Sequence, residues 1–134
     1  MAPDFDPAAP AGDALLSHLD MEVMDQLLSL DDGELGLLEE MLALYKEDTP
    51  DRIQAIGHTL ALGEMTEMAD VAHAVKGSAG TMGAPQVRAV AALLESGGRQ
   101  GKWEQTPEAL LAQLKVAYET SVTALEAFVA GRKG

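Results

Sequence analysis

The chain has 134 residues, enough to bury one core and too few for two. It carries 22 acidic against 9 basic residues, a formal charge of -13, which argues against binding nucleic acid or an anionic membrane surface. It has no cysteine, which excludes disulfides, thiolate nucleophiles and cysteine-built metal sites, and no apolar run approaches the ~18 residues of a membrane span.

Residues 1–12, MAPDFDPAAPAG, are acidic, rich in Pro and Ala and without periodicity, so they read as a disordered tail. No Lys or Arg precedes Lys46, which argues against an ordinary signal peptide, and with the lack of cysteine a cytoplasmic location is expected. Residues 13–131 read as one helical domain, beginning with a turn over Asp13 to Leu19 that packs onto the body. Asp20 is placed as the cap of a helix carrying Met21, Met24, Leu27 and Leu28, which stops between Asp31 and Gly33. A second helix starts at Glu34 with Leu35, Leu38, Met41, Leu42 and Tyr45 on one side. Its pattern resumes after Pro50 at Ile53, Ile56 and Leu60, so one long helix is expected, kinked or broken there, with Asp48-Thr49 able to cap a new start.

Gly63 ends that segment. A third helix is predicted over Met65 to Met82, with an apolar stripe at Met68, Ala72, Val75, Ala79 and Met82. A fourth starts at Pro85, turns Val87, Val90, Ala91 and Leu94 inward, and ends within Gly97 to Gly101. Thr106-Pro107-Glu108 opens the last helix, which carries Leu110, Leu114, Ala117, Ser121, Leu125 and Phe128 and closes on Arg132 and Lys133. Strong amphipathic patterns joined by short connections give an all-α fold: an antiparallel four-helix bundle with an additional N-terminal helix.

The charge is uneven. Residues 1–45 hold eleven acids and no base, whereas Val71 to Leu94 hold no acid and include His73, Lys76 and Arg88. The three histidines, His18, His58 and His73, give no metal-ligand pair at helical spacing, and no hydrolase elbow or phosphate-binding loop is present, so an enzyme with its own pocket and a resident metal is not expected. His73 has an unusual setting. At about 100° per residue it lies roughly 130° from the centre of the core stripe, facing solvent. Ala69, Gly77 and Gly80 fall on the same side, with Lys76 nearer the flank. Exposed helix positions ordinarily hold long polar side chains, and each interior glycine costs roughly 0.5–1 kcal/mol against alanine. Stripped neighbours around an exposed imidazole give another protein's backbone room to approach it. Singly, each feature has a plain reading: a surface histidine, close helix packing, a solubilising lysine.

Together these residues form HAVKGSAGTMGA, and here the chain resembles the histidine-containing phosphotransfer (HPt) domains of bacterial two-component signalling. The resemblance rests on His73, Lys76, Gly77, Ser78 and Gly83 in the family's register, on the Leu94-Glu95 pair of the next helix, and on the order of helices over about 100 residues. Val75 stands where the family often has leucine, a conservative departure; the long acidic N-terminal segment has no counterpart in the family pattern. The resemblance implies a phosphorelay intermediate. His73 would accept a phosphoryl group from the aspartyl phosphate of a receiver domain or from a histidine kinase, and pass it to a receiver aspartate. Lys76 would offset phosphate charge; Ala69, Gly77 and Gly80 would form the docking patch; Ser78 and Gly83 would support the motif. Ser78 points sideways, and a bond to a backbone carbonyl is expected of it rather than one to phosphate. No cofactor is implied on this chain, the Mg2+ ion belonging to the receiver, and the domain is expected to be a monomer. The competing reading is a helical adaptor that docks a partner through the patch around Gly77 and Gly80 and does no chemistry.

Overall fold

Asp20 opens the first helix, α1 (Met21–Leu30), as the sequence predicts. Its carboxylate accepts from the backbone N–H groups of Glu22 and Val23 at 3.0 and 3.4 Å. Asp31 serves two helices. Its backbone N–H closes the end of α1, and its side chain accepts from the N–H of Leu37 at 2.9 Å, covering the start of α2 (Gly36–Ala61). This computed structural model describes residues 17–31 and 34–133; the expected tail over residues 1–12 lies outside them, as does most of the expected turn before Leu19, whose own side chain is buried.

The expected break at Pro50 does not occur. α2 runs through Pro50 without interruption, and Asp48 and Thr49 are interior to it rather than caps. Pro50 and Lys46 both lie on the solvent side. The carbonyl that loses its partner to the proline ring is that of Lys46, which water can satisfy. The remaining helices fall where their patterns place them: α3 (Met65–Met82), α4 (Pro85–Gln100) and α5 (Pro107–Lys133). Gly63, Gly83 and Gly101, all at positive φ, end α2, α3 and α4. Thr106 caps α5 through a bond from the N–H of Ala109 at 3.1 Å.

The fold is all-helical among the described residues, a bundle of α2 to α5 with α1 added at one end. Its core has two parts. Ile53, Ile56, Met68, Ala72, Val75, Ala79, Val87, Ala91, Leu94 and Leu114 fill the half where all four bundle helices meet. Met24, Leu28, Leu38, Leu42, Tyr45, Met82, Leu125 and Phe128 fill the other, under α1. Between them, Tyr45 and Ser121 share a buried hydrogen bond of 2.8 Å, and burial pushes the Tyr45 hydroxyl up to about 12. No helix among the described residues is long and apolar enough to cross a membrane.

Candidate functional site: an imidazole held against the α3–α4 hairpin

The site is built by the tight turn between α3 and α4. Gly83 takes φ +68, and a Cβ there would come within 2.9 Å of Met24 Cε and 3.2 Å of the Asp20 carbonyl. The Gly83 carbonyl in turn accepts from the N–H of Asp20 at 2.8 Å. One glycine therefore reverses the chain and docks α1. It supports the motif by fixing the turn, well away from the imidazole. From that turn α3 and α4 run antiparallel in close contact. A Cβ on Gly98 would lie 3.0 Å from the Met65 carbonyl and 3.1 Å from Ala69 Cβ. So Ala69 faces Gly98, His73 faces Glu95 and Gly80 faces Arg88 along one pair of helices.

His73 is exposed, with 63% of its side chain open to solvent. Its Nδ1 lies 2.9 Å from Glu95 Oε2. Glu95 is the centre of the cluster. Its Oε1 receives Lys76 Nζ at 2.6 Å, and its Oε2 also receives Arg99 at 3.2 Å, while Arg99 reaches Asp70 at 3.1 Å. Only 13% of the Glu95 side chain is open. The Lys76 ammonium above all, with His73 and Arg99, holds its carboxyl at about 2, well below the usual carboxylate range, against the opposing effect of desolvation. Asp70 first, and Glu95 second, raise the Arg99 guanidinium above its ordinary value.

This arrangement fixes the chemistry of the ring. An ionised carboxylate can only accept a hydrogen bond. His73 Nδ1 therefore carries the proton, and in the neutral imidazole the lone pair is on Nε2, the nitrogen farther from Glu95. A nucleophilic nitrogen stands on an exposed helix face while its ring is oriented from behind.

The glycine patch is narrower than the sequence suggests. Gly77 is exposed, and nothing lies within 4 Å of where its Cβ would be. Gly80 is half covered, with Arg88 Cδ and Nε 3.6 Å from its would-be Cβ. Ala69 is not on the surface at all. It is fully buried, because Gly98 lets α4 close over that flank of α3, so the expectation of an exposed Ala69 is corrected. Ser78 is corrected too. Among the described residues it bonds no backbone carbonyl; its hydroxyl accepts from Arg52 Nη1 of α2 at 3.0 Å, tying α3 to α2 on the flank away from Glu95. Lys76, expected from the resemblance to offset phosphate charge, also holds a carboxylate, that of Glu95. Glu95, Arg99 and Asp70 were not identified as site residues from the sequence. For Glu95 the signals were its place in the Leu94-Glu95 pair and its position as the first acid after the acid-free stretch, neither of which says what it touches.

The comparisons agree with this architecture. The family model described as "Hpt domain" matches residues 40–128, about two thirds of the chain. Among solved structures, histidine-containing phosphotransfer protein B (HptB) from Pseudomonas aeruginosa PAO1 superposes with a TM-score of 0.73 at 23% identity, over 87% of this chain and 95% of that one, a likeness of fold. No curated protein sequence matches the chain. The residues matched include the whole α3–α4 hairpin with His73 and Glu95, and the chain belongs to the Hpt domain family of phosphotransfer intermediates.

Proposed function

We propose that the chain relays a phosphoryl group through Nε2 of His73, accepting it from the aspartyl phosphate of a receiver domain or from a kinase and returning it to a receiver aspartate. The observation that carries this reading is the hydrogen bond between His73 Nδ1 and the ionised Glu95, which leaves the lone pair on the exposed Nε2. In the forward step that lone pair attacks phosphorus. The N–P bond forms as the P–O bond to the donor aspartate breaks, and the electron pair of that bond leaves with the carboxylate. No proton has to move, because Nδ1 keeps its own. The ring becomes a phosphorylated imidazolium whose positive charge faces Glu95. Transfer to the acceptor runs the same step in reverse.

Lys76 has three N–H groups and uses one on Glu95, so the others can meet phosphoryl oxygens one helical turn from His73. Gly77 leaves the space in which the partner's backbone approaches. The divalent cation that phosphoryl transfer needs is assigned to the receiver.

The test compares two donors. A small donor, phosphoramidate, needs no docking; a phosphorylated receiver does. His73→Gln abolishes labelling by both, with the helical circular dichroism intact, while His18→Gln and His58→Gln keep it. Gly77→Gln keeps phosphoramidate labelling but slows receiver transfer at least ~10-fold, since five side-chain heavy atoms enter the docking space. Labelling that survives in His73→Gln overturns the assignment. A wild-type chain that binds receivers yet takes no label from either donor is the adaptor instead.

A further inference from the structure

We infer that Arg88 selects the partner: it is the cation of the docking face, lying over Gly80, left to pair with a carboxylate on the receiver. The inference rests on the phosphorelay reading above and adds a residue and a recognition chemistry to it.

The cations around His73 are mostly engaged. Lys76 pairs with Glu95, and Arg99 pairs with Asp70 and Glu95. The Arg88 side chain is exposed and makes no ion pair or hydrogen bond among the described residues. Its position is nevertheless defined. Its Cδ and Nε lie over Gly80, 3.6 Å from the place of a Cβ. An alanine at 80 would meet that stem in ordinary van der Waals contact, whereas a long side chain would compete with it for the same space. Gly80 thus differs from Gly77: the first is partly covered by the Arg88 stem, and the second leaves space with nothing in it.

The location suits a partner rather than this chain's own chemistry. Gly80 is seven residues beyond His73 on α3, about 10 Å along the same face. Lys76, Gly77, Gly80, Thr81 and Arg88 line one shallow groove there, of about 510 Å³, which ends against α1 at Asp20. The Asp20 carboxylate is turned to α1, whose first N–H groups it accepts. With Lys76 neutralised by Glu95, Arg88 is the uncompensated charge of the acid-free stretch Val71 to Leu94.

Charge decides the occupant. A receiver that binds a divalent cation beside its phosphoacceptor aspartate must present carboxylates around that site. A chain of formal charge -13 repels such a face at long range. A single exposed guanidinium on the same face as the imidazole offsets that repulsion where the two surfaces meet, and can take a partner carboxylate through two parallel N–H bonds. Rim charges of this kind act mainly on the association rate and its salt dependence.

The experiment uses the full chain and whichever receiver accepts fastest from phosphorylated wild type. Phosphoramidate first labels wild type, Arg88→Ala and Arg88→Glu; all three take label at the same rate, since the small donor needs no docking. Second-order transfer to the receiver then falls ~10-fold for Arg88→Ala and further for Arg88→Glu at low salt, and the three rates converge as salt screens the contact. Arg88→Glu transferring within twofold of wild type at low salt overturns the inference. So does a parallel fall in phosphoramidate labelling, which would make Arg88 part of the local fold or chemistry. If wild type takes no label from phosphoramidate, the phosphorelay reading itself fails and this inference falls with it.

Discussion

The two halves of the core are made of different side chains. Around α3 and α4 the buried set includes Ala72, Ala79, Ala84, Ala91 and Ala117 with Val75 and Val87, whereas under α1 it is Leu, Met, Tyr and Phe with Ala124 and Val129 as the only small members. Small side chains let helix axes approach; large ones hold them apart and bury more apolar area. Close approach is what the site requires. His73 and Glu95 are on different helices, and their 2.9 Å contact exists because Gly98 packs against Met65 and Ala69 one turn further along. The half built from large residues contributes stability and carries no part of the imidazole cluster. Geometry is the product of one half and cohesion that of the other.

Two substitutions can break that division. The larger effect is expected from Phe128→Ala. Phe128 is buried among Leu38, Leu42 and Leu125, and Arg132 lies over its ring at 5.7 Å. Its truncation is expected to cost about 3–5 kcal/mol, read by chemical denaturation. At a temperature where the variant is still folded, phosphoramidate labelling of His73 should stay within about twofold of wild type, because the α3–α4 contacts are untouched. A labelling rate that falls together with stability would mean that the halves are coupled and the site depends on the distal core.

The smaller effect concerns Glu95 and pH. Its carboxyl sits at about 2 in the fold against 4.5 for the free group, so the cluster's contribution to stability is complete above 4.5 and is lost as pH falls from there towards 2. Glu95→Gln removes that contribution. The melting temperature of wild type should therefore exceed that of the variant at neutral pH, and the gap should close between pH 4.5 and 2. At neutral pH the variant should also label more slowly, since a neutral amide in place of the carboxylate cannot offset charge on the phosphorylated ring. A gap that stays constant down to pH 2 would remove the ionised carboxylate from the account.

Much of the fold was readable from one chain. The stripe at Met68, Ala72, Val75, Ala79 and Met82 is buried throughout, α3 has the predicted ends, and Asp20, Gly63 and Thr106 end or begin helices as their chemistry suggests. What the periodicity could not give was which flank of α3 the next helix covers. Ala69 and Gly77 both lie off the stripe, yet one is sealed by α4 at Gly98 and the other is open. The same missing information hid Glu95. His73 lies 11 residues before Ala84 and Glu95 lies 11 after it, so a tight turn at Gly83-Ala84 puts them opposite each other. That symmetry is in the sequence, but it acquires meaning only once the turn is known to be tight and the hairpin close-packed. The one long helix expected across Pro50 is present, and only the alternative of a break there fails: a proline whose orphaned carbonyl faces water does not have to end a helix.

The most direct test of the central claim is the position of the phosphoryl group on the ring. The chain can be phosphorylated with phosphoramidate and its histidine side chains observed by 15N and 31P magnetic resonance. The account predicts nitrogen–phosphorus coupling at Nε2 of His73, with the Nδ1 proton retained and hydrogen-bonded to Glu95. Phosphorus on Nδ1 of His73, or on His18 or His58, would contradict it.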